Sequence, residues 1–116
     1  MKSVNSPLIS IDDLVGSQPM ACNALIDNHN VPIIVFRNQG VLHVYQNQCP
    51  HQGRRLDYAP GQFLCNNGLL ICAAHGASFA LDTGLCTQGP CRGESLIEYS
   101  VEFYPEKNAI RVFQKN

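Results

Sequence analysis

No window of the sequence approaches the unbroken apolar run that a bilayer span requires, so no membrane-spanning segment is expected. Charge is also sparse. Only 15% of residues are charged, the formal net charge is −1 and the pI is near 6.4, which leaves no basic surplus to attract nucleic acid or an anionic membrane. Behind Met1-Lys2-Ser3 there is no apolar core of the kind a secretory signal carries, and the expected location is the cytoplasm. Internal repeats, low-complexity tracts and linkers are missing as well. What remains is a chain of 116 residues, 45% of them hydrophobic, long enough for one real core and too short for two. The expected organisation is a single domain over residues 1–116.

Cysteine, by contrast, is abundant. Six cysteines in so short a chain suggest either a disulfide framework or metal ligation. Without a secretory signal the disulfide reading loses its compartment. Spacing separates the six: Cys49 and Cys72 each travel with a histidine, whereas Cys22, Cys65, Cys86 and Cys91 do not. Cys22 and Cys65 read as core or near-core. Cys86 and Cys91, on either side of Gly89-Pro90, read as buried free thiols in preference to a second metal site or a regulatory bridge.

In chain order the pattern is one of short strands and turns. Ile9 to Val15 lies between Pro7 and Pro19 and is too short for a helix, so it reads as an extended edge or a single turn. Ile33-Ile34-Val35-Phe36 is apolar and largely β-branched, Arg37 to Gly40 reads as a turn, and Val41 to Gln46 as a second strand. A second hairpin is expected where Gln62 to Cys65 and Leu69 to Cys72 flank Asn66-Asn67-Gly68, since Asn-Gly tolerates the positive φ of a tight turn. Ser78 to Leu81 gives a further strand before the turn at Asp82-Thr83-Gly84, and a looser Gly- and Cys-containing segment runs from Leu85 to Gly93. The clearest alternation comes last. Ile97, Tyr99, Val101 and Phe103 fall on one face and Glu98, Ser100 and Glu102 on the other, with Ala109 to Phe113 returning after a turn at Pro105 to Asn108. The expected fold is all-β, an antiparallel β-sandwich with a small lobe inserted at about residues 47–91.

The chemistry gathers between Cys49 and His75. Cys49 and His51 stand two apart, so an extended loop turns both to one side, and Cys72 and His75 can share an object from a tight turn. Two such loops offer two thiolates and two imidazoles. Zinc accepts that set tetrahedrally, so a structural zinc module is one reading. The other is an iron–sulfur cluster, favoured by the arrangement of one Cys and one His per loop, each pair with a Gly close behind. Zinc fingers more often put both thiolates on one hairpin and both imidazoles on one helix. His29 and His43 have no cysteine near them and are left out of the site.

Cys49-Pro50-His51-Gln52-Gly53, then Leu56, Cys72-Ala73-Ala74-His75-Gly76-Ala77-Ser78-Phe79, Asp82-Thr83-Gly84 and Gly89-Pro90 resemble the Rieske [2Fe–2S] ferredoxin family, from about residue 32 to the end of the sequence. The resemblance implies one [2Fe–2S] cluster per chain, with Cys49 and Cys72 on one iron and His51 and His75 on the other, and a loop at Gly89-Pro90 covering it. The interval from His51 to Cys72 is longer than usual in that family. The extra length is expected around Asp57 to Gln62 or at the Asn66-Asn67-Gly68 turn.

Replacing two thiolates by neutral imidazoles makes a cluster less negative and easier to reduce; Rieske centres span roughly −150 to +300 mV. High-potential relatives carry a hydroxyl two residues after the second His, a Tyr four after it, and a disulfide joining the ligand loops. Here Ala77 and Phe79 occupy the first two positions and the loop cysteines are missing, so a low potential is expected. The resemblance to oxygenase ferredoxins implies a one-electron carrier and no catalytic residues. Its partners would be a flavin reductase and a terminal non-haem iron oxygenase, and no small-molecule substrate is expected. The chain is too short to carry an oxygenase's own 2-His-1-carboxylate iron domain. Arg54 and Arg55 are read either as part of a docking rim or as a solvated surface. An accessory or regulatory subunit of a larger reductase is the other role considered.

Overall fold

The computed structural model describes residues 7–14, 16, 18–50, 55–57, 59, 61–66, 68–72, 76–89 and 91–115. Among these residues ten strands form two antiparallel sheets. They are β1 (Ile9–Ser10), β2 (Met20–Ile26), β3 (His29–Asn38), β4 (Val41–Gln46), β5 (Leu64–Asn66), β6 (Leu69–Ile71), β7 (Ser78–Ala80), β8 (Cys86–Gln88), β9 (Glu98–Tyr104) and β10 (Ala109–Gln114). The larger sheet has the order β1-β10-β9-β4-β3-β2 and the smaller β5-β6-β7-β8. Because β5 to β8 fall between β4 and β9 in sequence while β4 pairs with β9 in space, the small sheet is an insertion. The expected all-β architecture with an inserted lobe is what the strands build.

Local sequence explains the tightest connections. Ile26 pairs with His29 and Asn38 with Val41, so each hairpin closes over two residues. Asp27 and Asn28 have φ of 52° and 67°, Gln39 and Gly40 of 52° and 80°, the left-handed geometry whose twist suits a two-residue hairpin. β3 therefore runs to Asn38, past the turn expected at Arg37. The sequence pattern gave no strand at Met20–Ile26, where Asn23 and two alanines dilute the alternation; β2 is an edge strand, for which partial burial suffices.

β3 is apolar on both faces because both are covered. Ile33 and Val35 join Val44, Ala24, Ile26, Ile11, Ile110 and Val112 in one core, while Ile34 and Phe36 join Tyr45 in another, against the inserted lobe. Each such side chain gains about 1.5–3 kcal/mol on leaving water. The first core lies within the larger sheet, which curls so that β10 approaches β2. The second lies between that sheet and the lobe.

The alternation of β9 is realised only in part. Tyr99 and Val101 pack on the first core, but Ile97 and Phe103 are 55% and 44% exposed. β4 meets β9 only at Tyr99 and Glu98, so the Phe103 end has β10 alone beside it. His43 packs in an aromatic row, with its ring 5.2 Å from Phe36 and 6.2 Å from Tyr45.

Candidate metal centre

β4 delivers the chain to the loop that carries Cys49, and a buried asparagine fixes where that loop begins and ends. Asn47 Oδ1 accepts the Leu56 N–H at 2.7 Å, its Nδ2 donates to Asp57 Oδ1 at 3.2 Å, and its own N–H donates to the Pro32 carbonyl at 2.9 Å. Residue 47 is thereby tied to residues 56 and 57, and the segment between them contains Cys49 and His51. Asp57 is held in turn by Arg55, with Nε to Oδ1 at 3.0 Å and Nη2 to Oδ2 at 3.1 Å, and by the Gly61 N–H at 3.1 Å. Burial works against the Asp57 carboxylate, but the hydrogen bonds from Arg55, Gly61 and Asn47 outweigh it and hold its pKa below the usual range.

The second loop follows β6 directly, as the hairpin pattern predicts. The Cys72 N–H donates to the Ala77 carbonyl at 2.7 Å and the Gly76 N–H to the Cys72 carbonyl at 2.8 Å, which ties Cys72 to Gly76 and Ala77. Gly76 sits at φ 71°, where a Cβ would be strained. Ala77 and Phe79 beyond it are fully buried.

A third segment closes over the second loop. Gly89, at φ 103°, comes so near that a Cβ there would lie 2.7 Å from the Ala77 Cα, an approach only glycine permits. On either side of it Cys86 and Cys91 turn inward, each 1% exposed. The Cys91 thiol donates to Cys86 Sγ at 3.0 Å, and the Cys86 thiol donates to the Gln88 carbonyl at 3.2 Å. Burial, and then the neighbouring sulfurs of Cys86 and Cys49, push the Cys91 thiol up to about 12.

The structure thus brings Cys49 and Cys72 into one core with Cys86 and Cys91, and leaves all four thiols unbridged. His51, His75 and Arg54 lie outside the described residues. Arg55 is exposed, with its guanidinium fork engaged on Asp57 rather than facing a partner freely. Cys22 is half-buried on the first core, and burial pushes its thiol to about 11. Cys65 corrects expectation: it is exposed, on β5 at the outer edge of the small sheet. Asn47, Asp57 and Gly61 went unrecognised in the sequence; their contacts span up to ten residues without any periodicity to betray them.

A family model described as Rieske [2Fe-2S] domain matches residues 8–112. The chain belongs to that family. The cofactor of a Rieske domain is one [2Fe–2S] cluster, and two unbridged buried thiols from two separate loops are donors of the right softness for it. None of the curated proteins matches the chain. Among solved structures, the ferredoxin of carbazole 1,9a-dioxygenase from Nocardioides aromaticivorans IC177 is 25% identical, with 93% of this chain and 95% of that one covered and a TM-score of 0.69. The terminal oxygenase of carbazole 1,9a-dioxygenase from Novosphingobium sp. KA1 is 19% identical over 95% of this chain, with a TM-score of 0.75. A carbazole-bound oxygenase in complex with its ferredoxin is 16% identical over 96% of this chain, also at 0.75. The Rieske chain spans only 29% of either oxygenase, and at that identity the likeness establishes the fold alone. No helix among the described residues is long and apolar enough to cross a membrane.

Proposed function

We propose that this Rieske protein is a one-electron carrier of low potential, acting as a single domain whose lobe, about residues 47–91, holds the cluster through Cys49, His51, Cys72 and His75. The observation that carries the proposal is the meeting of Cys49 and Cys72, from two loops, in one buried core of a Rieske-family chain. When bound, the cluster supplies a one-electron couple. The chain's own part is to shield and position. Asn47 and Asp57 fix the first loop, the Cys72–Ala77 turn shapes the second, and Gly89 lets a third segment exclude water from behind the sulfurs. Ala77 and Phe79 are buried without a hydroxyl, which favours the low end of the Rieske range.

The likeness to the carbazole dioxygenase ferredoxin over nearly the full length of both chains supports a carrier rather than a catalytic subunit. The proposed partners are a flavin reductase as donor and a terminal non-haem iron oxygenase as acceptor, in the cytoplasm. Anaerobically purified protein should be brown, with iron equal to acid-labile sulfide and a Rieske EPR signal on reduction. Stopped-flow mixing with a flavin reductase and a Rieske oxygenase should then show reduction followed by reoxidation. A colourless protein holding one zinc ion would sink the proposal.

A further inference from the structure

Cys86 and Cys91 stand outside the proposed ligand set, yet their sulfurs face each other inside the lobe. The Cys91 thiol donates to Cys86 Sγ at 3.0 Å, about 1 Å longer than the roughly 2.05 Å of an S–S bond. Backbone bonds fix that approach. The Cys86 N–H donates to the Glu94 carbonyl at 2.7 Å, the Glu94 N–H to the Cys91 carbonyl at 2.9 Å, and the Gly93 N–H to the Cys86 carbonyl at 3.1 Å. A small movement of two side chains therefore separates the thiol pair from a bridge. As free thiols the two match the reading from their spacing, and their approach adds a second, oxidised form.

The chain between them is the segment that closes over the second loop. Gly89 lies within it, so near that a Cβ there would stand 2.7 Å from the Ala77 Cα, and Thr87 Oγ1 donates to the Ser78 carbonyl at 3.4 Å. A bridge from Cys86 to Cys91 would thus join the two ends of the cover itself. Both residues are 1% exposed, so the pair is inert while the segment is closed and reacts when it opens.

We propose that Cys86 and Cys91 form a dithiol–disulfide couple, a site of reversible oxidation whose bridge pins the covering segment over the second loop. The oxidant is a low-molecular-weight disulfide. One cysteine sulfur attacks it to form a mixed disulfide and releases one small thiol; the other cysteine sulfur then displaces the second small thiol, and the Cys86–Cys91 bond closes. One S–S bond forms and one breaks. The pair gives up two electrons, and its two protons end on the two small thiols. The bridge closes a loop over residues 86–91, which restricts the open segment and so disfavours opening. That consequence for the cluster rests on the proposed ligands, whereas the couple itself does not.

The test holds the purified, cluster-loaded protein in anaerobic glutathione buffers of graded oxidised-to-reduced ratio, then alkylates free thiols in denaturant and maps them by mass spectrometry. As the ratio rises, Cys86 and Cys91 should escape alkylation together, at a mass lower by two hydrogens, and dithiothreitol should restore both. Cys86→Ser and Cys91→Ser should each abolish that change. Iron release to a chelator should be on the order of tenfold slower from the oxidised wild type than from the reduced, and independent of the ratio in either variant. Full alkylation of both thiols at every ratio, glutathione retained on one of them, or a bridge to another cysteine would overturn the couple. Equal iron release from the two forms would overturn the pinning. If either variant does not fold, the mapping in the wild type alone decides. A wild type without any Rieske signal would instead show that the ligand assignment is wrong, and the same mapping would still decide the couple.

Discussion

The two cores are built from different materials. The core within the larger sheet is aliphatic at its centre, with Ile11, Ile26, Ile33, Val35, Val44, Ile110 and Val112, and its strands reach ten residues. The core facing the lobe contains four cysteines and Tyr45, borders the polar Asn47, and has strands of only three residues on its far side. Branched aliphatics fill space and need no partner. Thiols, a phenol and an amide must each be matched: Tyr45 donates to the Leu81 carbonyl at 3.1 Å, and Asn47 uses both ends of its amide. The large sheet is thus a platform that stabilises itself, while the lobe relies on that platform, on its hydrogen bonds and on its cofactor.

The most severe way to break this contrast is to remove a proposed ligand. Cys72→Ser should abolish the cluster. Because metal-site binding energy is also folding energy, amides of β5 to β8 should then exchange on the order of a thousandfold faster. Amides of β3, β4, β9 and β10 should keep most of their protection. Hydrogen exchange followed by mass spectrometry separates the two. Equal loss of protection in both sheets would mean one cooperative unit.

A matched pair of truncations sharpens the same point. Ile33 and Leu70 are both essentially fully buried, one in each core, and either change to Ala should cost about 2–5 kcal/mol. Ile33→Ala should lower the midpoint of global unfolding and leave the visible spectrum intact. Leu70→Ala should release the cluster at denaturant concentrations where the far-UV signal of the large sheet has not yet changed. Loss of colour at the same concentration as the sheet in both variants would remove the distinction.

The platform was the more legible region in the sequence, for a physical reason. Its stability comes from periodic burial, and periodicity is visible: the Ile33–Phe36 run and the alternation of Tyr99 and Val101 located β3 and β9 directly. β2 escaped because an edge strand needs no strong pattern, although Asp27-Asn28 carried the turn that begins β3. In the lobe, the Cys and His spacing singled out the proposed ligands, and Asn-Gly marked the hairpin that leads to the second loop. The ties from Asn47 to Leu56 and Asp57 were not legible, because they join residues distant in sequence that share no repeating interval. Their role depends on which loops fold together, and one-dimensional pattern does not record that.

The smallest expected effect is also the one that isolates the lobe's electrostatics. The folded pKa of Asp57 is depressed below its ordinary 3.8 because Arg55, Gly61 and Asn47 favour the carboxylate over the opposing effect of burial. A depressed folded pKa contributes stability that is fully present above the unfolded value and is lost as pH falls through the folded one. From neutral pH down to about 5 this contribution should therefore be constant, and it should disappear progressively below about 4. Arg55 is half-exposed, so its share is screened, and the whole effect should be about 1 kcal/mol. Asp57→Asn should lower the lobe's stability by that amount at neutral pH and show a flatter acid limb. Protonation of the ligands themselves also loosens the lobe in acid, so the quantity to read is the difference between wild type and variant at each pH. That difference should shrink toward zero as the pH drops, whereas a difference that stayed constant or grew would place the role of Asp57 in packing rather than in its charge.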